Sequence, residues 1–130
     1  MIEKRATKGL DFGALRDAIE AREPDALLGF YAEGARLRVV HASLPGGPAF
    51  ELRSKERIGR YLRAIGDQEM DCLVEEGILI GEGCVEFTEL CYYPNGVPIS
   101  VATTLEVEGA LIASRTDVVR RADRKEGGDR

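Results

Sequence analysis

The sequence predicts an α+β domain in which three helices pack against a curved antiparallel sheet. Two observations support this prediction. Apolar residues recur at helical spacing in the first half of the chain, and four strand-like runs separated by short glycine-containing turns fill the second half. Consecutive strands joined by short turns form an antiparallel meander. The expected order is α-α-β-α-β-β-β-β, with helices and sheet sharing one core.

Two helices are expected in the first third of the chain. Their apolar residues are Phe12, Leu15 and Ile19 in the first helix, and Leu27, Leu28 and Tyr31 in the second. Pro24 suits the first turn of the second helix, and Gly34 follows as a stop signal.

A strand, a loop and a third helix are expected next. Residues 35–41 alternate as a strand, and the prolines and glycines of residues 45–48 mark a loop. Ser54 is a suitable N-cap for the third helix. Its buried stripe consists of Ile58, Tyr61, Leu62 and Ile65. The strand-like runs that follow cover residues 70–80, 84–93, 97–107 and 110–120.

The turn Asn95-Gly96 predicts how the strands pair, because both residues tolerate the positive φ of a two-residue type I′ turn. Glu108-Gly109 is treated as a second turn of this length. The resulting partners are Tyr92 with Ile99, Leu90 with Val101, Thr88 with Thr103, Thr103 with Ser114, and Val101 with Thr116. This face is rich in large apolar groups, so we assign it to the core and to a ligand pocket.

The opposite face of the sheet is expected to mediate assembly. It would carry Phe87, Cys91 and other apolar groups, too many for a comfortable monomer. Glu89 and Arg115 would flank Ala102 there and could pair across it or across a two-fold axis. We therefore predict a homodimer through the outer face of the sheet.

Length, composition and charge limit the kinds of protein this can be. With 130 residues, 44% hydrophobic, one domain is expected over residues 10–120, with flexible tails at 1–9 and 121–130. No apolar run approaches the ~18 residues of a membrane span, and no signal peptide is evident, so a cytoplasmic protein without a membrane partner is expected. A net charge of -5 argues against a nucleic-acid partner.

Nearly the whole chain, from about Leu10 to Arg120, resembles a known superfamily in pattern and order. The run from Ala21 to Arg38 resembles the helix-turn-strand opening of nuclear transport factor 2-like, or cystatin-like, proteins, in their SnoaL-like and ketosteroid-isomerase branch. The run from Leu52 to Leu62 resembles the third helix of that family. The resemblance implies a cone-shaped fold with a pocket at its open end, and often a dimer.

The resemblance also argues against the best-known activity of this family. The general-base Asp of the isomerases falls near Val39, the oxyanion-hole Tyr near Arg16, and the inward acid donor near Thr103. An apolar Val cannot transfer a proton. A related dehydratase needs two histidines, whereas this chain has one, and no Asp-Arg-Asp set of the epoxide-hydrolase kind stands at matching positions.

His41 is the first catalytic candidate. If Val39 points inward, His41 does too, and imidazole titrates near neutral pH. The alternative is a hydrogen-bonded residue at the pocket rim. Asp117 lies near the acid of a SnoaL-like cyclase, but the predicted register turns it outward unless a one-residue bulge intervenes. The other expected pocket residues are Arg16, Val39, Tyr61, Thr88, Leu90, Tyr92, Val101, Thr103, Ser114 and Thr116, while the orientations of Glu76 and Glu86 stay open.

Two function classes remain open. One is an enzyme of the isomerase, cyclase or hydrolase type that acts on an apolar small molecule without a cofactor. The other is a non-catalytic ligand-binding or accessory domain. No metal site is expected, because one His and scattered carboxylates provide no cluster of ligands. Cys72, Cys84 and Cys91 form no CxxC pair and are interpreted as small buried hydrophobes.

Overall fold

A computed structural model describes residues 9–41, 49–75, 77–80, 83–94 and 98–121. Within these residues three helices pack on one curved, unclosed sheet, which confirms the predicted fold class. The helices are α1 (Phe12–Ala21), α2 (Pro24–Leu28) and α3 (Lys55–Gly66). The strands are β1 (Tyr31–His41), β2 (Ala49–Arg53), β3 (Asp71–Val74), β4 (Ile78–Leu79), β5 (Cys84–Tyr92), β6 (Pro98–Glu108) and β7 (Leu111–Arg121).

The sheet is mixed, whereas the sequence predicted an antiparallel one. Its strand order is β2-β1-β7-β6-β5-β3, and β4 pairs with β5. Strand β1 runs parallel to β7, and the other pairs are antiparallel. A tight turn forces its two strands to be antiparallel, but β1 and β7 come from opposite ends of the domain and have no such link.

Side-chain caps fix the beginnings of two helices. An Asp11 carboxylate oxygen accepts the N–H of Ala14 at 3.1 Å at the start of α1. The Ser54 hydroxyl accepts the N–H of Arg57 at 3.2 Å, which confirms the predicted N-cap of α3. Pro24 occupies the first turn of α2, as expected.

Strand β1 begins earlier than predicted. Tyr31 was assigned to the second helix and Gly34 to its end, but α2 stops at Leu28 and both residues lie in β1. The N–H of Ile112 bonds to the carbonyl of Phe30 at 2.8 Å, and Tyr31 pairs with Ile112. Pairing with β7 prevails because a helix as short as α2 has little stability of its own.

Two further segments differ from the predicted elements. Residues 49–53 form strand β2, which the sequence did not predict, and pair with β1. The expected strand over residues 70–80 is divided into β3 and β4. Glu76 lies outside the described residues.

The predicted register between β5 and β6 is wrong by one residue. Tyr92 pairs with Pro98 and Glu89 with Val101, so five residues separate the strands where a two-residue turn was expected. Asn95-Gly96 itself lies outside the described residues. Because side chains alternate in a strand, a shift of one residue places each side chain of β5 on the face opposite to the predicted one. Thr88, Leu90 and Tyr92 lie on the outer face, whereas Val85, Phe87, Glu89 and Cys91 are buried on the inner face.

The pairing of β6 with β7 contains a one-residue bulge, the irregularity that would turn the Asp117 side chain from the outer face to the inner face. Glu108 pairs with Leu111, which makes Gly109-Ala110 the turn, and Gly109 has a φ of 65°. Val107 then faces Ile112, whereas Glu106 faces Ser114, so β7 has one extra residue at this point.

The bulge exchanges the faces predicted for β7. Arg115 and Asp117 are buried on the inner face, and Ser114 and Thr116 lie on the outer face, opposite to the prediction. The prediction for β6 is correct, because Val101 and Thr103 are buried on the inner face. Val39 of β1 is buried too.

The core lies between the helices and the inner face. Its largest fully buried side chains are Tyr31, Leu10, Leu37, Ile58, Leu105, Ile112, Val39 and Thr103. Among the described residues, no helix combines the length and apolar character needed to cross a membrane.

Arg22 links the end of α1 to the last turn of α3 and to the segment that follows α3. It is the C-cap of α1 in the left-handed conformation, with a φ of 56°. Its guanidinium donates to the carbonyl of Met70 at 2.8 Å and to that of Gly66 at 2.9 Å, and it also bonds the carbonyls of Ile65 and Gln68. The left-handed backbone conformation of Arg22 is unfavourable in itself, but it positions the side chain for these hydrogen bonds.

Substitution of Arg22 tests this balance. Arg22→Gly relieves a backbone cost of about 1 kcal/mol but removes charge-assisted hydrogen bonds worth more in total, so we expect a net loss of about 2 kcal/mol or more. Urea unfolding measures the free energy of unfolding. Arg38→Gly, at an exposed position of β1, is not a suitable control, because a glycine weakens the strand. Arg38→Lys is the matched control for Arg22→Lys, which we also expect to be destabilising. A stabilised Arg22→Gly protein would show that the side chain contributes little.

Candidate functional site

The inner face of the sheet carries a hydrogen-bonded network centred on Arg115. The guanidinium binds Asp117 through two parallel contacts of 2.8 and 3.0 Å. It also donates to Glu89 at 3.1 Å and to the Tyr31 hydroxyl at 2.9 Å. Thr103 donates to Asp117 at 3.0 Å. The network therefore joins strands β1, β5, β6 and β7 inside the cone.

Burial controls the electrostatics of this network. It raises the pKa of Glu89, although the charge of Arg115 acts in the opposite direction. Burial also raises the pKa of Tyr31. For Arg115, burial favours loss of the proton, but Asp117, Tyr31 and Glu89 together outweigh this effect and the pKa is raised. One guanidinium thus compensates two neighbouring carboxyl groups.

A cavity of about 60 Å³ adjoins this network. Glu89, Arg115 and Cys72 line it from the sheet side, and Arg22 lines it at the end of α1. The rest of its wall consists of Ile19, Pro24, Leu27, Leu62, Ile65, Gly66 and Met70. The cavity is therefore mostly apolar, with three charged side chains in its wall.

Two cysteines lie beside Glu89. Cys72 on β3 and Cys91 on β5 are direct partners across the strands, and their sulfur atoms are 3.8 Å apart. Their thiol–thiol hydrogen bond lowers the pKa of Cys72 and raises that of Cys91. One ligand atom from each of Cys72, Glu89 and Cys91 lies within 4.8 Å of the others.

The residues predicted to form a pocket do not line this cavity. His41 is half-buried at the end of β1, and no hydrogen bond joins it to a carboxylate of the described residues. Arg16 is half-buried on α1. Tyr61 packs edge-on against Phe50, with ring centroids 5.5 Å apart. Burial, assisted by the charge of Asp117, raises the pKa of Tyr61 to about 12.

Sequence reasoning placed the central pair of the site on the wrong face. Glu89 and Arg115 were expected to lie near each other, and they do form an ion pair, but inside the cone. The available signal was the alternation of Val85, Phe87 and Cys91, whose shared face includes Glu89. Although no Asp-Arg-Asp set stands at the matching positions, the fold assembles a carboxylate–guanidinium–carboxylate set from Glu89, Arg115 and Asp117.

Solved structures share this architecture over most of their length. A SnoaL-like protein of unknown function from Burkholderia thailandensis is 21% identical, with a TM-score of 0.61 over 83% of this chain and 90% of its own. An NTF2-like protein of unknown function from Mesorhizobium loti is 16% identical, with a TM-score of 0.68 over 83% and 86%. This chain has the nuclear transport factor 2-like fold.

The nuclear transport factor 2-like fold confirms the resemblance seen in the sequence. A pinacolase from Penicillium brevicompactum also shares it, at 12% identity and a TM-score of 0.62 over 83% of this chain and 82% of its own. No protein-family model and no curated protein matches the sequence. At these identities the likeness defines the architecture and leaves the chemistry to the site itself.

Removal of Arg115 tests the network. Arg115→Met leaves two carboxyl groups without their buried partner, so we expect a loss of about 3–5 kcal/mol in unfolding free energy. Adding Glu89→Gln and Asp117→Asn removes the uncompensated charges and is expected to recover part of this loss. Arg120→Met, at an exposed position of the same strand, should change stability by about 0.5 kcal/mol or less. An equal effect at both positions, measured by urea unfolding, would contradict the proposed balance of charges.

Proposed function

We propose that the protein binds a small, mostly apolar molecule inside the cone. The supporting observation is the cavity, whose apolar wall is interrupted by Glu89 and Arg115 on one side. Ligand sites commonly combine an apolar wall with a few placed polar groups. The apolar part of the ligand would contact residues of the helices, and its polar group would meet the sheet.

Unused hydrogen-bonding groups support this orientation. Four of the five guanidinium N–H groups of Arg115 are accounted for by its contacts with Asp117, Tyr31 and Glu89. Glu89 accepts through one oxygen, and its second oxygen receives no hydrogen bond from the described residues. A ligand hydroxyl could donate to Glu89, and a carbonyl could accept from Arg115.

The size of the cavity limits what its enclosed part can hold. A cavity of about 150 Å³ can receive benzene, whereas this one measures about 60 Å³. The enclosed part therefore suits a fragment of a few heavy atoms or the polar end of a longer molecule. A larger ligand would require movement of the surrounding helices.

The second candidate is a cofactor-independent enzyme of the isomerase, cyclase or hydrolase type. One observation favours it: Glu89 is a carboxyl group that lines the cavity and is oriented by Arg115. An oriented carboxyl group can transfer a proton to or from a bound substrate. Under this proposal Glu89, in place of His41, is the group that contacts the substrate. The shared architecture with a pinacolase supports it by analogy alone.

Dimerisation through the outer face of the sheet remains part of the proposal. In the observed register, Leu73 and Tyr92 are exposed on this face. Leu90 of β5 and Ala102 of β6 lie on the same face of the adjoining strands. Leu73 is 52% exposed and Tyr92 43% exposed. Contiguous apolar surface of this kind favours burial against a second copy.

Ligand binding is testable with small fragments. In metal-free protein labelled with ¹⁵N, acetone and 2-propanol, which each have four heavy atoms, should cause saturable shifts at the amides of Ile65, Met70 and Cys72. Leu27→Trp fills the cavity and should abolish these shifts. Leu73→Trp makes the same change on the outer face and should preserve them. Shifts that are absent, or that persist in Leu27→Trp, would contradict binding in this cavity.

Turnover separates the two candidates. With propylene oxide and 4-penten-2-one as small substrates, the enzyme hypothesis expects Glu89→Gln to lower kcat/KM by about 100-fold or more. Exposed Glu86→Gln on the same strand is the matched control. Loss of turnover in His41→Ala with full turnover in Glu89→Gln would make His41 the proton carrier. Binding of both compounds without turnover would favour the ligand-binding domain.

The dimer is tested by sedimentation at micromolar concentration. We expect a dimer for the unmodified chain and a monomer for Ala102→Arg, because a charge at the centre of the outer face would be buried without a partner. Ala26→Arg places the same side chain at an exposed position of α2 and should leave the dimer intact. A monomeric unmodified chain would overturn this part of the proposal.

A further inference from the structure

Cys72, Glu89 and Cys91 form a cluster of potential metal ligands at the edge of the cavity. All three are buried, with 8%, 7% and 5% of their surfaces exposed. Cys72 and Glu89 also line the cavity. The cluster therefore combines two sulfur donors and one oxygen donor in a protected place that a small molecule can approach from one side.

Strand pairing holds the two sulfurs close together. The N–H of Glu75 bonds to the carbonyl of Thr88 at 2.9 Å, which makes these two residues a hydrogen-bonded pair. Pairs alternate along antiparallel strands, so Cys72 and Cys91 form a non-hydrogen-bonded pair, in which side chains approach most closely. The rigid ladder sets this separation.

The distance between the sulfurs suits a tetrahedral ion. With metal–sulfur bonds of about 2.3 Å and tetrahedral angles, two thiolates lie about 3.8 Å apart. The separation of Cys72 and Cys91 is 3.8 Å. A disulfide would instead require a separation of about 2.05 Å and hence a movement of the strands or side chains.

Glu89 can supply the third ligand. One of its oxygens accepts from Arg115, and the other receives no hydrogen bond from the described residues. One carboxylate oxygen of Glu89 lies within 4.8 Å of both sulfurs, and a tetrahedral site needs sulfur–oxygen distances of about 3.6 Å, so a side-chain movement of about 1 Å suffices. Thiolate and carboxylate donors together suit Zn²⁺.

The electrostatic balance is also favourable. Binding of a divalent ion releases the protons of Cys72 and Cys91, so the two thiolates offset the charge of the ion. The net charge of the buried site is then the same before and after binding. This avoids the large cost of placing an uncompensated charge in the interior.

We propose that Cys72, Glu89 and Cys91 bind Zn²⁺ and leave one coordination position open to the cavity. The proposal goes beyond ligand binding by the cavity, because the metal site needs only these three side chains. A site with three protein ligands and one open position can accept water or an oxygen atom of a small molecule. The open position would then give the cavity a Lewis acid beside Arg115.

Cobalt titration of the reduced 130-residue chain tests the site. Co²⁺ should bind with one equivalent and produce thiolate-to-metal charge-transfer absorption, which Zn²⁺ then displaces. Cys72→Ser and Cys91→Ser should each weaken binding at least tenfold and reduce this absorption. Glu89→Gln should weaken binding while retaining the charge-transfer absorption, because both sulfurs remain. Circular dichroism confirms that each variant is folded.

Cys84→Ser is the matched control, because Cys84 is half-buried and lies outside the cluster. It should bind Co²⁺ like the unmodified chain. Absence of saturable charge-transfer absorption, its persistence in the Cys72→Ser/Cys91→Ser variant, or its loss in Cys84→Ser would overturn the proposal. So would a protein that binds no Co²⁺ when reduced but forms a Cys72–Cys91 disulfide in air. Fragment binding to metal-free protein tests the cavity separately.

Discussion

The ion pair of Arg115 with two carboxylates is the interaction on which the interior of this fold depends. A guanidinium is costly to bury without partners, and its main partners stand on β5 and on β7 itself. Glu89 can reach it only in the observed register of β5, and Asp117 and Arg115 face inward only because β7 contains a bulge. The network therefore requires two local features of the sheet at once, and each would be unfavourable without the other.

The sequence predicted most elements of the fold because their signals are local. Ser54 caps α3 through a contact three residues away, and Pro24 begins α2 at the position where its ring fits best. Strand β1 was harder to predict, because Tyr31 follows apolar residues at helical spacing while its actual partner, Ile112, is distant in sequence. Helix propensity depends on residues nearby in the sequence, so it gives no sign that a distant strand will pair with Tyr31.

The site was harder to predict than the fold, because its contents depend on register. A one-residue error on β5 exchanged the faces of the strand, so Thr88 and Tyr92 were assigned to the pocket while Glu89 and Cys91 were assigned to the surface. The same error concealed the proximity of Cys91 to Cys72. A carboxylate within the alternation of Val85 and Phe87 is ambiguous until its partner is known, and Arg115 is too far along the chain to be identified by spacing.

Glu89 stands where three chemical environments meet: a guanidinium, two thiols and an apolar cavity. Its carboxyl group can serve only some of them at one time. A ligand or metal that engages its second oxygen would alter the charge balance around Arg115, and through Arg115 the contacts of Asp117 and Tyr31. A bound ligand or metal would therefore act on the contacts between the strands through this one side chain.

The extra residue of β7 has a consequence for comparing this chain with others. On β7, even-numbered residues point into the cone before Ala113, and odd-numbered residues point into it after Ala113. An alignment that matches residues one for one across this point, without placing the irregularity, exchanges interior positions for surface positions over the rest of the strand. At 12–21% identity there is little in the letters to reveal the error. Functional residues should therefore be assigned between such proteins from superimposed structures, by the direction in which each side chain points, and not from the sequence alignment.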